Sequence, residues 1–282
     1  MLAKLKSKTV PHLRSISSAF KARLAKSGVA AGYYNVDNFG DLLTPELLAH
    51  VGLRPFHCQK FKYTDCVGVG SILHKLPDDY KGAVLGSGFI CEEDIKVLPH
   101  AKIYLVRGHL TRKGLGLPDN FPVGDPGLLA SDLYAVKRDP SCSNILGFIP
   151  HYSDVSQPSV EYFLKQCGAH IRLIDVRKKP AEVVREIAEC SHIVSSSLHG
   201  LIVADSLGIP ARGLGISNKV LGEGFKFRDY HSCFGEDPEM VAFTGKETVD
   251  ELVNSTRLAE PDRVEEVKSS IQDSFERFAI QH

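Results

Sequence analysis

The chain of 282 residues is long enough for about two domains of ordinary size. Its 34 Lys and Arg residues are matched by 34 Asp and Glu residues, so the chain as a whole lacks the charge of a nucleic-acid-binding protein. The seven cysteines are odd in number and scattered. This pattern argues against a disulfide framework or a cysteine zinc site and favours reduced thiols in the cytoplasm.

Residues 1–27 form a basic N-terminal arm or helix. Seven Lys and Arg residues precede the first acidic residue, and Leu13, Ile16, Phe20 and Leu24 recur at helical spacing. Two interpretations stay open: this apolar stripe docks on the body of the protein, or the arm rests as an amphipathic helix on an anionic membrane surface. A transit peptide is a further alternative, because the arm is acid-free and contains Ser and Arg. The sequence has no apolar run long enough to span a bilayer.

Residues 28–138 alternate short apolar runs with Gly, Ser and Asn turns, the pattern of a parallel sheet with crossover helices. The pattern predicts strands at 29–33, 66–70, 83–86 and 103–106, and helices at 41–51 and 109–115.

A second series of strands and helices occupies residues 142–245, after a polar, proline-containing linker at 137–141. It predicts strands at 145–149, 170–174 and 193–194, and helices at 159–167, 181–189 and from about 198. A glycine-rich segment follows Pro210, and residues 246–282 contain C-terminal helices that we expect to pack back on the first domain. The last helix has one apolar face, made by Val264, Val267, Ile271, Phe275 and Phe278. The expected fold is therefore α/β, with two Rossmann-like, doubly wound domains that enclose a cleft at the carboxyl ends of their strands.

The run from Ser195 to Gly200 is the strongest functional signal in the chain. Ser195, Ser196 and Ser197 stand where a strand passes into a helix, so the free backbone N–H groups of the helix start favour an anion there. Leu198 and Gly200 belong to the first turn, and His199 places a titratable group beside the anion. The combination indicates a phosphate site.

Polar residues that follow the strands of the first half are the other site candidates. Asn38 and Asp41 follow the first strand and are suited to hold sugar hydroxyls; for Asp41, an interaction with the next helix start is an equal alternative to catalysis. Gly70, Ser71 and Ser87 lie in glycine-rich strand ends. The chain has neither a complete G-x-G-x-x-G fingerprint nor a P-loop.

Charged residues complete the candidate site. Arg107 directly ends an apolar strand, a position from which a guanidinium pairs with a carboxylate or a phosphate through two donors. Asp125 lies in a Gly-Asp-Pro-Gly turn, where it either serves the site or satisfies backbone amides. Lys226 and Arg228 bring further positive charge in the second half.

Taken together and in this order, these motifs resemble the polysaccharide pyruvyltransferase family over about residues 29–235. The Gly-Asp-Pro-Gly-Leu-Leu run is similar to the branch that makes ketals on xanthan and succinoglycan. The resemblance is carried by Asn38-Phe39-Gly40-Asp41, Gly68-Val69-Gly70-Ser71, Gly86-Ser87-Gly88, Val106-Arg107-Gly108, Gly124-Asp125-Pro126-Gly127, Ser195-Ser196-Ser197-Leu198-His199-Gly200 and Lys226-Phe227-Arg228-Asp229-Tyr230.

The resemblance implies a GT-B-like arrangement with the acceptor on the Arg107 side and the donor phosphate on the His199 side. It implies transfer of the pyruvyl group of phosphoenolpyruvate to two hydroxyls of one sugar, forming a cyclic ketal and releasing phosphate, with no cofactor and no metal. The acceptor is then a polysaccharide or its lipid-linked precursor at the cytoplasmic membrane face. His199 and Asp41 are expected to move protons. Many family members carry an arginine where this chain has Ser197.

Two other functions remain as alternatives from the sequence. One is a glycosyltransferase that uses a nucleotide sugar, since such enzymes share this architecture. The other is a catalytically silent glycan-binding protein. The donor that stabilises the protein on heating distinguishes the three.

Overall fold

The computed structural model describes residues 2–35, 38–139, 141, 144–217, 224–236 and 240–282, with side chains described from residue 11 onward except that of residue 169. The helices are α1 (Leu2–Leu24), α2 (Leu43–His50), α3 (His109–Gly114), α4 (Ala130–Leu133), α5 (Pro158–Gln166), α6 (Pro180–Ala188), α7 (Leu198–Ser206), α8 (Phe225–His231), α9 (Val249–Ser255) and α10 (Pro261–Gln281). The strands are β1 (Gly28–Gly32), β2 (Arg54–His57), β3 (Cys66–Val67), β4 (Ala83–Leu85), β5 (Lys102–Leu105), β6 (Leu146–Ile149), β7 (Ile171–Leu173), β8 (His192–Ser195), β9 (Ala211–Gly215) and β10 (Val241–Ala242).

Two parallel five-stranded sheets form the frame of the protein. The first has the order β2-β1-β3-β4-β5, and the second has the order β10-β9-β8-β6-β7. When the strands are numbered within each sheet and the second sheet is read from β7, both orders are 2-1-3-4-5. The two halves therefore share one topology. The order reverses between β1 and β3 and again between β6 and β8, and such switch points are where doubly wound sheets bind ligands. The expected α/β fold with two Rossmann-like halves is confirmed.

The strands form where short apolar runs are shielded from water. All four residues of β6 are buried, as are four of the five in β1, which is the pattern of parallel strands covered on both faces.

The first half departs from the prediction in its connections. Between β2 and β5 the chain crosses over through short 3-10 turns and irregular segments instead of α-helices. The β3–β4 and β4–β5 connections are rich in Gly, Pro and Asp, which favour turns.

The segment after Pro210 contains a strand and a helix among its described residues, while residues 218–223 lie outside them. It contributes β9, which lies between β10 and β8 in the second sheet, and α8, which packs against α3 of the first half. The linker predicted at 137–141 is irregular at 137–139 and connects α4 to β6, while Pro140 lies outside the described residues.

Helix α7 joins the two halves. All nine of its residues are buried, as expected for a helix that is apolar on every side. Leu198, Leu201 and Ile202 pack into the core of the first half, and Val203 and Ala204 pack into the core of the second. The start of α7 is therefore held rigidly at the boundary between the sheets.

Helix α10 returns to the first half and packs against β4 and β5. Its predicted apolar face is the buried one, since Val264, Val267, Ile271, Phe275 and Phe278 are each at most 5% exposed. Lys268 on the same helix is buried and reaches Asp132 of α4 at 3.1 Å.

Helix α1 docks through a face that differs from its apolar stripe. Ser15 and Ala22 are buried against the β1–β2 side of the first sheet, and the Cys58 thiol donates to Ser15 O at 3.1 Å. The stripe of large apolar residues points to solvent instead. Its exposed fractions are 65% for Leu13, 43% for Ile16, 61% for Phe20 and 72% for Leu24. Docking of this stripe on the body of the protein is therefore wrong. No helix among the described residues is both long and apolar enough to cross a bilayer.

Candidate active site

A polar cavity of about 140 Å³ lies where the switch points of the two sheets face each other. Every strand that borders a switch point delivers residues to it from its carboxyl end. The cavity is lined by Tyr34, Asn38, Asp41, Gly70, Ser71, Ile90, Arg107, Asp125, His151, Tyr152, Ser197, Leu198, His199 and Lys226. The fold thus brings together residues that are up to 192 positions apart in the sequence, from Tyr34 to Lys226.

Asp41 is a buried carboxyl with an unusual proton affinity. It lies two residues before α2 begins and is 8% exposed. Asn38 Nδ2 donates to Asp41 Oδ2 at 3.0 Å. The Asp41 pKa is raised to about 7, mainly by burial. The Asp125 charge acts in the same direction, whereas the Lys226 charge and the Asn38 hydrogen bond oppose the shift. Gly70 leaves room for this carboxyl, because a Cβ there would lie 2.9 Å from Asp41 Oδ1.

Lys226, Arg107 and His151 bring basic side chains to the same cavity. Burial lowers the Lys226 pKa to about 8, and the Arg107 charge adds to that effect while Asp41 and Asp154 oppose it. Burial and Lys226 lower the His151 pKa to about 4. Groups of like charge that weaken one another in this way mark a place where an anion is favoured.

His199 lies in the first turn of α7, against the Gly40 backbone. A Cβ at Gly40 would lie 1.9 Å from His199 Nδ1, so only glycine permits this close approach. His199 Nε2 is buried and has no hydrogen-bond partner among the described residues. Burial lowers the His199 pKa to about 3, with further lowering by Lys226, Arg107 and His151. The ring is therefore neutral in the free protein near neutral pH.

The three serines before α7 have separate positions. Ser197 is the N-cap residue, lines the cavity and makes no side-chain cap hydrogen bond, which leaves the helix start open toward the cavity. Ser195 instead shapes the turn: its Oγ accepts from Ser197 N at 2.9 Å and lies 2.9 Å from Ile149 O. Ser196 Oγ donates to Asp154 Oδ2 at 2.7 Å and accepts from His151 N at 2.9 Å.

Arg107 lines the cavity, but its guanidinium already has protein partners. The side chain is fully buried, its Nε donates to Asp229 Oδ2 at 2.9 Å, and its Nη2 lies 2.8 Å from the same oxygen. Arg107 Nη1 donates to Ser71 Oγ at 2.5 Å, and Nη2 donates to Phe89 O at 2.6 Å. The carboxylate that pairs with Arg107 is thus supplied by the chain itself, 122 residues away.

Asp229 also anchors α8 to the start of α3. Its carboxylate accepts from Thr111 N at 2.8 Å and from Thr111 Oγ1 at 2.7 Å. Nearby, Ser232 Oγ accepts from His109 N at 2.9 Å. This buried contact fixes α8 to the first half. It therefore also positions Lys226, which lies three residues before Asp229 on the same helix.

Asp125 caps the 3-10 turn that follows it and is fully buried. Its Oδ1 accepts from Gly127 N at 2.9 Å, while Oδ2 has no hydrogen-bond partner among the described residues. Burial raises the Asp125 pKa to about 6. Both interpretations of this residue therefore have a physical basis, since one oxygen holds the turn and the residue also lines the cavity.

Five of the predicted site residues do not line the cavity. Ser195 and Ser196 are engaged as described above, and Ser87 Oγ donates to Gly68 O. Gly200 lies inside α7, where a Cβ would be 2.6 Å from Ser195 Oγ. Arg228 lies on α8 but outside the lining.

Three lining residues are absent from the sequence-based set: Tyr34, Ile90 and Tyr152. His151, which the sequence places after an apolar strand with its side chain expected to point inward, does line the cavity. Position also identifies two of the other three, because Tyr34 closely follows β1 and Tyr152 closely follows β6. These are the strands at the switch points, and their strand order is not visible in the sequence. Among the described residues, no cluster of three or more His, Cys, Asp or Glu side chains is arranged to hold a metal ion.

The comparison with known proteins points to one family. The sequence profile of the polysaccharide pyruvyl transferase family matches residues 11–218. The succinoglycan biosynthesis protein ExoV of Rhizobium meliloti is 28% identical over 207 residues, which cover 70% of this chain and 62% of that protein. An uncharacterized protein of Acanthamoeba polyphaga mimivirus is 28% identical over 158 residues, which cover 54% of each chain. The chain thus spans between half and two thirds of the length of these relatives. Because the family profile covers most of the sequence, the chain belongs to the polysaccharide pyruvyl transferase family.

Proposed function

We propose that this protein transfers the pyruvyl group of phosphoenolpyruvate onto two hydroxyls of one sugar, in a polysaccharide or its lipid-linked precursor. The product is a cyclic pyruvate ketal, and phosphate is released. One observation carries the proposal: an open helix start, crowded cationic groups and a carboxyl with a pKa of about 7 converge in one cavity. Catalysis of a reaction between an anionic donor and a neutral hydroxyl requires groups of these kinds, to bind the anion and to remove the hydroxyl proton.

The donor supports the choice through its charge. Phosphoenolpyruvate carries a carboxylate and a phosphate, or about three negative charges near neutral pH. The α7 start and Lys226 are placed to receive these groups. A bound trianion also favours the charged forms of Lys226, His151 and His199, so it raises the pKa of each. Arg107 contributes positive potential, although its direct partner is Asp229.

Asp41 is suited to act on the acceptor hydroxyl. A general base works best when its pKa is near the working pH, and burial brings the Asp41 pKa to about 7. The Asn38 amide holds one carboxylate oxygen by a hydrogen bond. The other oxygen, Oδ1, lies beside Gly70 at the cavity. We assign proton removal from the attacking hydroxyl to this carboxylate.

The proton balance of the reaction is closed within the site. One hydroxyl proton ends on the methylene carbon of the donor, which becomes a methyl group, and the other ends on the departing phosphate. The two sugar oxygens form bonds to the central carbon, whose bond to the phosphate oxygen breaks. We assign delivery of the phosphate proton to His199, which the bound donor would recharge, with Lys226 balancing the charge on the phosphate.

Stabilisation by the donor tests this proposal against its alternatives. Phosphoenolpyruvate at about one hundred times its dissociation constant should raise the melting temperature by about 5 °C. A nucleoside diphosphate should have no such effect. Stabilisation by the nucleotide alone would favour a glycosyltransferase, and stabilisation by neither would favour a glycan-binding protein without activity.

We also propose that the protein acts at the cytoplasmic face of a membrane and contacts it through α1. The exposed stripe of Leu13, Ile16, Phe20 and Leu24 supports this, because four large apolar side chains in water on one helix are costly. Next to Ile16 and Phe20 lies a groove of about 700 Å³, whose lining includes Arg23, Lys62, Lys81 and Lys102. Apolar side chains flanked by cations match an anionic lipid surface.

A further inference from the structure

Two half-exposed tyrosines stand at the cavity, one from each half of the protein. Tyr34 follows β1 and is 37% exposed, and Tyr152 follows β6 and is 51% exposed. Both line the cavity that contains Asp41 and Lys226. Large exposed aromatic side chains that gather at a cleft are a feature of ligand sites rather than of ordinary surface.

Neighbouring rings hold both tyrosines in place. Tyr152 packs on His151 with ring centroids 4.1 Å apart and an angle of 36° between the planes. Tyr34 meets Phe61 edge to face, with centroids 6.2 Å apart and an angle of 80°. Because each ring is already oriented, little side-chain entropy is lost when a ligand packs on it.

The position of Tyr34 connects it with the acceptor rather than with the donor. The negative charge of Asp41 reaches the Tyr34 phenol, whose pKa is raised by burial and by that carboxylate. Tyr34 also lines the same cavity as this carboxyl, which we assign to the acceptor hydroxyl. Phosphoenolpyruvate is small and highly charged, so an uncharged aromatic ring contributes little to its binding.

A sugar ring fits an aromatic surface at this place. A pyranose has hydroxyls around its rim and a face of C–H groups, and that face is attracted by the negative face of an aromatic ring. Tyrosine also offers a hydroxyl at its edge, which remains wet while the ring is covered.

We propose that Tyr34 and Tyr152 form a stacking subsite for the pyranose ring of the acceptor, holding its hydroxyls toward Asp41. The proposal rests on the proposed function, because it assigns the acceptor of that reaction. It makes the two tyrosines specificity-determining residues, while the donor is bound deeper in the cavity.

Kinetics with an acceptor panel test the subsite. The panel consists of p-nitrophenyl glucoside, galactoside and mannoside together with depyruvylated succinoglycan oligosaccharides, and the best acceptor is chosen by phosphate release with the unaltered protein. Tyr34→Ala and Tyr152→Ala should each raise KM for that acceptor by about tenfold. Tyr34→Phe and Tyr152→Phe should stay within about threefold of the unaltered protein, because the ring is kept. Stabilisation by phosphoenolpyruvate should be unchanged in all four variants.

Tyr162 provides the matched control, since it is 48% exposed on α5 and does not line the cavity. Tyr162→Ala should change no kinetic constant. An unchanged acceptor KM in both alanine variants overturns the subsite, and so does an equal loss in the phenylalanine variants, which would assign the effect to the hydroxyls. If the unaltered protein neither binds phosphoenolpyruvate nor releases phosphate from it, the proposed function itself has failed. That result is distinct from a failure of the subsite.

Discussion

In the proposed reaction, proton transfer depends on the pair Asp41 and Lys226. Burial raises the pKa of the carboxyl to about 7 and lowers the pKa of the ammonium to about 8. Each charge favours the charged form of the other, so the two titrations belong to the pair. The form with an ionised Asp41 and a charged Lys226 is therefore most populated in the narrow range between the two values.

This pair predicts a bell-shaped pH profile for kcat/KM of phosphoenolpyruvate. The rate should fall below about pH 7, where Asp41 is protonated, and above about pH 8, where Lys226 loses its charge. Lys226→Arg should keep the acid limb and remove the alkaline limb, because arginine stays charged. Asp41→Asn should lose at least about a hundredfold in rate. A profile that is flat from about pH 5 to about pH 9 would contradict these roles.

At the scale of elements, a buried ion pair connects α8 to the first half of the molecule. Arg107 and Asp229 are both fully buried, and Asp229 also satisfies Thr111 at the start of α3. A buried charge that loses its partner is much more costly than a broken surface pair. The geometry of Lys226 thus depends on an interaction between segments that are far apart in the sequence.

Removal of the Asp229 carboxylate should destabilise the fold. Asp229→Ala is expected to lower the free energy of unfolding by about 3–5 kcal/mol, because it leaves Arg107 charged and buried. Asp78→Ala is the control: Asp78 pairs with Lys96 at 2.9 Å but is 91% exposed, so its loss should cost less than about 1 kcal/mol. Urea unfolding measures both variants. Equal small effects would show that the buried pair contributes little.

Helix α1 leads to a prediction about membrane binding. The protein should bind vesicles of phosphatidylglycerol and phosphatidylcholine more tightly than vesicles of phosphatidylcholine alone. Lys21→Ala with Arg23→Ala should weaken that binding by about thirtyfold, since each cation near the surface contributes about 1 kcal/mol. Phe20→Ser should weaken binding to both kinds of vesicle.

The control for α1 is Ile280→Ser, which removes an apolar side chain that is 85% exposed at the end of α10. It should leave vesicle binding unchanged. Point variants suit this test better than deletion of the helix, because Ser15 and Ala22 are part of the packing against the first sheet. Equal binding of all variants would remove the membrane contact from the account.

For the whole molecule, the sequence is sufficient to predict the two α/β halves, because buried strands leave continuous apolar runs. It also places Asp41, His199 and Lys226 in the set of site residues. The partner of Arg107 is not predictable in the same way, since no local pattern connects it with Asp229. Tyr34 and Tyr152 become prominent only when the strand order shows that β1 and β6 border the two switch points.

The same whole-molecule view explains why the site lies between the halves. Both sheets have the strand order 2-1-3-4-5, so their switch points offer equivalent positions for ligands. One supplies Asp41 and Tyr34, and the other supplies His151, Tyr152 and the start of α7. A donor bound at the start of α7 can therefore meet an acceptor beside Asp41.

Mass spectrometry of the acceptor after incubation with phosphoenolpyruvate is the decisive measurement of pyruvyl transfer. A sugar of the acceptor should gain the mass of one pyruvate less one water, with one phosphate released for each product. Asp41→Asn should form product and phosphate at least about a hundredfold more slowly. Phosphate release without the mass gain, or transfer of a hexose from a nucleotide sugar to the same acceptor, would contradict the account.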